Sequence, residues 1–291
     1  MISFDRVMRK IFPSLSKLSY NLLFKMVVNA FDFLPRVFFR ELRRIPPNHL
    51  RIRVGVGNRL FTNQFSYLAG ARDFWLATGL EGLWDMDSTI LDIGCGCGRY
   101  AQHLRDFQHQ NHKFRGLYIG IDIDEEMLKW CRETFDAERF TFMSSTHSSK
   151  SYNVASENDE YYKIDLPDRS VDFVYSTSLF THLLEEQLID YVEESYRVLK
   201  PGRAMYMSVF SLDHPPPTYG SRHTFSHGVG NAHVESLRQP EAAVAYSEEF
   251  LIAISKKVGF TQASVIQSDG NWQIFLLCYK DTSENSALTE K

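Results

Sequence analysis

The stretch Ile90-Leu91-Asp92-Ile93-Gly94-Cys95-Gly96-Cys97-Gly98-Arg99 sets the reading of the whole chain. Thr89 to Ile93 is a short apolar run of strand type. Three glycines follow at alternate positions, and Tyr100 to Phe107 has helical spacing. A strand that enters a glycine turn and leaves as a helix lets a ligand approach the backbone at the strand's carboxyl end. The turn is not the dinucleotide fingerprint G-x-G-x-x-G, because position 99 is Arg where the third glycine would stand. A G-x-x-x-x-G-K-S/T segment is absent as well, which removes the nucleotide-triphosphate loop.

Outward from this turn the pattern repeats. Leu117 to Ile121 is a second strand, ending in Gly120-Ile121-Asp122-Ile123-Asp124. Asp122 lies 24 residues beyond Gly98, where a carboxylate can accept two hydrogen bonds from a ribose diol. Asp124 is placed to cap the helix Glu125 to Phe135. Phe140 to Met143 and Val171 to Tyr175 read as the third and fourth strands, with a polar loop, 144–160, between them. The helix Leu184 to Leu199 leads to a fifth strand, Ala204 to Phe210. Strands alternating with helices imply βαβ units, a parallel sheet and right-handed crossovers. Residues 211–246 break the rhythm and read as a long polar, aromatic loop, the kind that covers an acceptor site. Ser247 caps a helix that Gly259 closes. Phe260 to Gln267 and Trp272 to Tyr279 then form a hairpin through Asp269-Gly270, followed by a polar tail, 281–291.

Upstream, residues 14–31 read as an amphipathic helix. Lys17, Asn21, Lys25 and Asn29 make its polar stripe, opposite Leu15, Leu18, Leu22, Leu23, Met26 and Val27. Pro35 is expected to end it, with a further short helix from Val37 to Arg44 stopped by Pro46-Pro47. An aromatic-rich helical pattern over 65–84 leads into the first strand. Residues 1–54 hold eleven Lys and Arg against three acids, a charge of +8, and the remainder carries −12. An acidic body disfavours a phosphate backbone as partner, so no nucleic acid is expected; the basic head keeps a local electrostatic role. Of three readings for residues 1–44, a helical cap over the sheet's carboxyl edge is preferred to peripheral contact with an anionic bilayer and to a dimer contact. The chain has no eighteen-residue apolar stretch and no secretory leader pattern, so a cytoplasmic location is expected. Four cysteines with no CxxC pair are neither a disulfide framework nor a zinc site, and no metal is expected.

At these residues the chain resembles the class I S-adenosylmethionine (SAM)-dependent methyltransferases. That family's first motif, D/E-x-G-x-G-x-G, stands here as Asp92, Gly94, Gly96 and Gly98. Its acidic motif after the second strand stands as Gly120-Ile121-Asp122-Ile123. Its fourth-strand motif is similar to Ser170–Ser176, and its L-K-P-G-G turn to Leu199-Lys200-Pro201-Gly202. The resemblance covers roughly residues 65–280. It implies an α/β, Rossmann-like, seven-stranded, mostly parallel sheet with helices on both faces and an antiparallel last strand. The N-terminal helical extension, 1–64, is added to that domain. It further implies SAM as cofactor, with Asp92, Gly94, Cys95, Gly96 and Gly98 in its binding motif and Gly94, Cys95 and Gly96 along its methionine part. Asp122 would lie at the ribose hydroxyls, Ile123 against the adenine, and the Ser176 and Thr177 carbonyls towards the ammonium. Two positions depart from the family pattern. Met143-Ser144-Ser145 lacks the acid often found after the third strand, and position 203 is Arg where a second turn glycine is usual.

The acceptor class follows partly by exclusion. Ser176-Thr177-Ser178-Leu179 is neither the Asn/Asp-Pro-Pro-aromatic segment of an N6-adenine enzyme nor a site with a cysteine nucleophile. The expected activity is O- or N-methylation of a small-molecule, glycan or lipid-linked acceptor. His182, a few residues past the fourth strand, is the candidate general base. His214, His223, His227 and His233 with Tyr219 and Tyr246 would line the lid. The alternatives are a SAM-dependent enzyme of other chemistry and a non-catalytic SAM-binding scaffold. Intact Asp92, Gly94, Gly96 and Asp122 weigh against the scaffold.

Overall fold

From the amino terminus the elements begin with α1 (Leu22–Ala30), α2 (Phe33–Phe38), a 3-10 turn (Arg40–Arg44), α3 (Asn48–Arg51) and α4 (Gln64–Leu80). The sheet starts at β1 (Thr89–Ile93), followed by α5 (Arg99–Arg105), a small hairpin β2 (Gln108–His109) and β3 (His112–Lys113), then β4 (Leu117–Asp122). Next come α6 (Glu125–Thr134), β5 (Phe140–Ser144), β6 (Val171–Ser176), α7 (Glu185–Val198) and β7 (Leu199–Ser211). Three short strands, β8 (His227–Val229), β9 (Ala232–Val234) and β10 (Val244–Tyr246), precede α8 (Glu248–Val258), β11 (Gln262–Ile266) and β12 (Ile274–Tyr279). This computed structural model describes residues 18–55, 62–109, 111–145, 163–214, 224–267 and 273–282. The expected start of the first helix at Ser14, the Asp269-Gly270 turn, Tyr219, His223 and nearly all of the tail lie outside them.

The seven strands expected from sequence lie in the order β5-β4-β1-β6-β7-β12-β11. Pairings among the first five are parallel. β12 runs antiparallel to both β7 and β11. The chain leaves β1 for β4 on one side and later returns to β6 on the other, so the crevice of a doubly wound sheet opens at the carboxyl end of β1. Strand alternation sorts the core into two layers. Leu91, Ile93 and Val174 pack with Leu188 and Val192 of α7 and Leu251 of α8. Ile90, Phe173 and Tyr175 pack with Trp75 of α4, Leu104 of α5 and Leu128 of α6.

Local chemistry sets the element ends. The Asp124 carboxylate accepts from the Glu126 and Met127 N–H groups at 3.1 and 3.3 Å, with two further acids in the first turn of α6. Ser247 caps α8 through the Phe250 N–H, and Gly259 at φ 127° ends it.

Three expectations need correction. Asn21 is not part of a helical stripe but the N-cap of α1, accepting from the Phe24 N–H at 3.2 Å. Pro35 does not end a helix. It sits in the first turn of α2, where a missing N–H costs nothing, and the chain from Val37 splits into the end of α2 and a 3-10 turn. Nor is 211–246 a structureless loop, since its described part contains β8, β9 and β10. β10 pairs in parallel with Phe210 and Ser211 at the end of β7, which is thirteen residues long because it serves β12 with one half and β10 with its tip. Strands of three residues with polar members carry too little period to be seen in sequence.

Candidate active site

A cleft of about 790 Å³, counted with its open mouth, lies at the carboxyl ends of β1, β4 and β6. Its lining includes Gly94, Gly96, Ile121, Asp122, Ile123 and Asp124 from the first two turns. Thr177, Ser178, Leu179 and His182 follow β6, Tyr191 comes from α7, and Met127 and Ser145 complete the far wall. Arg53, Val54 and Gly55 bring the N-terminal extension to the same cleft. Of the residues expected at the site, Gly94, Gly96, Asp122, Ile123, Thr177 and His182 therefore meet there.

Asp92, Cys95, Gly98 and Ser176 are not among the lining residues. Asp92 is 1% exposed, one residue inward from the turn on the aromatic face of β1. Its Oδ2 accepts from the hydroxyls of Tyr118 and of Tyr175, the latter at 2.8 Å. Its Oδ1 is buried with no partner among the described residues. Burial outweighs the two tyrosine hydrogen bonds and pushes the carboxyl up to about 7. Ser176 is fully buried and ties β6 to β1 by donating to the Ile93 carbonyl at 2.7 Å. Cys95 is buried, and a Cβ added at Gly120 would come within 2.8 Å of its sulfur. Gly98, at φ 73°, opens α5 where an added Cβ would meet the Phe135 ring at 3.0 Å and the Cys131 sulfur at 3.2 Å. Its glycine serves packing and turn geometry.

The glycine turn has its own hydrogen bonds in hand. Gly94 and Cys95 both donate to the Ile121 carbonyl, and Gly98 donates to Cys95. Gly96 donates to the Asp122 Oδ2 at 2.7 Å. A turn whose N–H groups are already used offers little to a pyrophosphate. The one arginine among the lining residues, Arg53, is spent as well. It meets Asp124 at 2.9 Å and Glu126 at 2.6 Å, and donates to the Ser19 hydroxyl and carbonyl. What faces the cleft is carboxylate, with Asp122 half-buried and held by N–H groups from Gly96 and Asp124. Burial raises Asp122, and those backbone hydrogen bonds counter part of the rise. This donor set fits a cationic ligand with hydroxyls, and SAM is one: it carries an ammonium, a sulfonium and a ribose diol. The two glycines leave the space a side chain would fill, since a Cβ at Gly94 would meet Leu179 at 3.2 Å and one at Gly96 would meet Val54 at 3.2 Å.

Across the cleft, His182 ends the 3-10 turn Phe180–His182 and is half-buried. Its Nδ1 lies 2.8 Å from the Glu241 carbonyl, which can only accept, so Nδ1 carries the proton and Nε2 is the basic nitrogen of the neutral ring. Ser178, at φ 63°, is a non-glycine residue in the left-handed region, held by its N–H donating to Ser208 at 2.6 Å. Tyr191 and Ser145 share a hydroxyl contact of 3.3 Å. Two described histidines of the 211–246 segment have partners other than the cleft's lining residues: His214 pairs with Glu248 at 3.0 Å, and His233 Nδ1 donates to the Phe225 carbonyl at 3.1 Å. Tyr246 is fully buried and donates to the Leu183 carbonyl, so it is core rather than lid. The segment touches His182 through the Glu241 carbonyl.

The wall supplied by residues 53–55 was not legible in sequence. Arg53 is one of eleven bases in a basic head, and nothing in its spacing marks the partner 71 residues on.

Residues 91–207 match the family described as a methyltransferase domain. A crystal structure of a protein from Pyrococcus horikoshii shares the fold with a TM-score of 0.51 at 16% identity, over 84% of this chain and 100% of that one. A SAM-dependent methyltransferase from Aquifex aeolicus matches at 22% identity and a TM-score of 0.46, over 72% of this chain and 89% of its own. One from Mesorhizobium loti matches at 17% and 0.47, over 72% and 98%. The fold is thus the open, doubly wound, Rossmann-like domain with a cleft at its switch point. The match gives the chain a methyltransferase domain over residues 91–207, which supports a SAM-dependent methyltransferase with S-adenosylmethionine as its cofactor.

Proposed function

We propose that the cleft between the glycine turn and His182 methylates an oxygen or nitrogen of a small-molecule, glycan or lipid-linked acceptor. The observation that carries this is the pairing of a carboxylate-lined cofactor wall with one basic imidazole nitrogen opposite it. Asp122 would hold the ribose hydroxyls, Ile123 would lie against the adenine, and Gly94, Gly96 and Thr177 would bound the methionine end. When bound, SAM supplies an electrophilic methyl group on sulfonium. The chain's own work is alignment and proton removal. His182, oriented by the Glu241 carbonyl, takes the acceptor's proton at Nε2. Ser178 and Leu179, carried on the strained turn before it, bound the acceptor side of the cleft.

Isothermal calorimetry with SAM and with its demethylated product tests the cofactor half. Binding of both, with protection against thermal unfolding, is expected. A ligand at a hundred times its dissociation constant adds about 2.7 kcal/mol. Failure to bind either compound ends the assignment. Mass spectrometry of acceptor pools incubated with methyl-labelled SAM tests the other half: label retained only as free cofactor, across all three acceptor classes, would favour a non-catalytic SAM-binding protein.

A further inference from the structure

The N-terminal helices are amphipathic the wrong way round for a domain that ends at its own surface. On α1 the polar residues point inward. The Lys25 ammonium meets Glu126 at 2.5 Å, and the Asn29 side chain accepts from the His49 N–H at 3.1 Å. Leu22, Leu23, Met26 and Val27 face outward, Leu22 with 74% of its surface exposed. α2 continues the face with Phe33, Leu34, Val37 and Phe38, the last 75% exposed. Of the nineteen large hydrophobic residues exposed among the described residues, twelve fall between Leu18 and Phe39. Isolated exposed apolar residues need no explanation; a contiguous face of this kind does.

The face cannot turn inward. Two buried ion pairs pin the segment that carries it: Arg53 on Asp124, and Arg51 on Asp32 at 2.5 Å in the corner between α1 and α2. Charge then names the occupant. Arg40, Arg43 and Arg44 are exposed next to the apolar face and Arg36 is half-buried beside it, while Glu41 is the one exposed acid in residues 18–44. Residues 1–17 add four bases and one acid to the same end of the chain. A second copy meeting this face with its own would bring two such rims of bases together. An anionic lipid surface offers hydrocarbon to the apolar side chains and phosphate to the arginines. No helix among the described residues is long and apolar enough to cross a membrane. Helices of nine and six residues can lie along an interface. We propose that α1 and α2 form a membrane-surface patch that seats this enzyme on an anionic bilayer.

Vesicle sedimentation of the full chain tests it, with phosphatidylcholine alone and with added phosphatidylserine. Binding at least tenfold tighter to the anionic vesicles is expected, weakening as salt shortens the screening length. The triple variant Leu22→Ser, Leu34→Ser, Phe38→Ser should lose at least tenfold in vesicle affinity and keep its thermal midpoint and its calorimetric binding of the demethylated cofactor. If that variant does not fold, a single Leu23→Cys substitution carries an environment-sensitive dye, since the four native cysteines are buried. The dye should shift to the blue with anionic vesicles. Three results overturn the proposal: a full chain that leaves both vesicles unbound, a triple variant that binds as wild type, and a dye with no shift. A concentration-dependent dimer that the triple variant dissociates, without vesicle binding, would make the face a subunit contact instead. Cofactor binding that fails independently leaves the vesicle result standing, so the two readings are tested apart.

Discussion

Arg53 and Asp124 form a buried ion pair at 2.9 Å that joins the N-terminal extension to the residue capping α6. The same guanidinium reaches Glu126 and lies 3.7 Å from the centre of the Tyr20 ring, whose hydroxyl also donates to Asp124. Burial alone would raise Glu126, but the hydrogen bonds from Lys25 and Arg53 outweigh it and hold this carboxyl at about 2. Because Arg53, Val54 and Asp124 all border the cleft, the extension is part of its wall.

Replacing Arg53 by Met should therefore destabilise the protein by about 3–5 kcal/mol, since removing one partner leaves Asp124 charged and buried. Urea denaturation checks this, and an unchanged midpoint would show the extension to be detachable.

Asp122→Ala removes a carboxylate that organises Gly96 and Asp124 and faces the cleft. A loss of about 1.5–3 kcal/mol weakens binding of the demethylated cofactor roughly 10- to 150-fold. Titration calorimetry reads the change directly, and equal affinities would remove Asp122 from the cofactor site.

Asp92 gives the stability curve a direction. Its folded pKa of about 7 lies above the ordinary value of 3.8, so the folded state holds an extra proton between those two pH values. Stability should thus fall as pH rises from about 4 through 7, with the full cost, roughly 4 kcal/mol by linkage, present only above that range. Burial of Asp122 pushes the same way. Asp92→Asn should flatten the slope, gaining on wild type between pH 5 and 8 in chemical denaturation. A parallel pair of curves would contradict the assignment.

Gly98→Ala forces a Cβ into Phe135 and Cys131 at a left-handed position. The backbone strain costs about 1–2 kcal/mol and the crowding about 1–3 kcal/mol more. The thermal midpoint should drop by several degrees, while affinity for cofactor, measured well below that midpoint, should change little. A larger effect on affinity than on stability would put Gly98 against the ligand.

His182→Asn should lower turnover by about 10²–10⁴ once an acceptor is known, with cofactor affinity nearly unchanged. Raising the pH should not restore the lost rate if Nε2 is the base. A fall in turnover that only tracks thermal stability would make the histidine structural.

Much of this was readable in the chain. The strand, glycine turn and helix around Gly94, the capping by Asp124 and Ser247, and the seven core strands follow from spacing of a few residues and from turn chemistry, which act locally. Of the cleft's lining, Gly94, Gly96, Asp122, Ile123 and Thr177 lie within three residues of strand ends that periodicity locates, so their meeting at one sheet edge was legible.

Contacts between distant segments were settled by the tertiary structure. The family resemblance put Asp92 in the cofactor motif, whereas the pleat of β1 turns its side chain into the aromatic layer beneath Tyr118 and Tyr175. Spacing made Lys25 and Asn29 a polar stripe, but could not say which way it faced. The acids of α6 draw that stripe inward, and the apolar side of α1 is left outward. Arg53 reaches the cleft only because residues 19–25 and 48–55 fold back over the α6 amino terminus. A sequence carries its local dihedral preferences and its hydrophobic period in every window. Which charge meets which, and which apolar face finds no partner, depends on surfaces assembled from the whole chain.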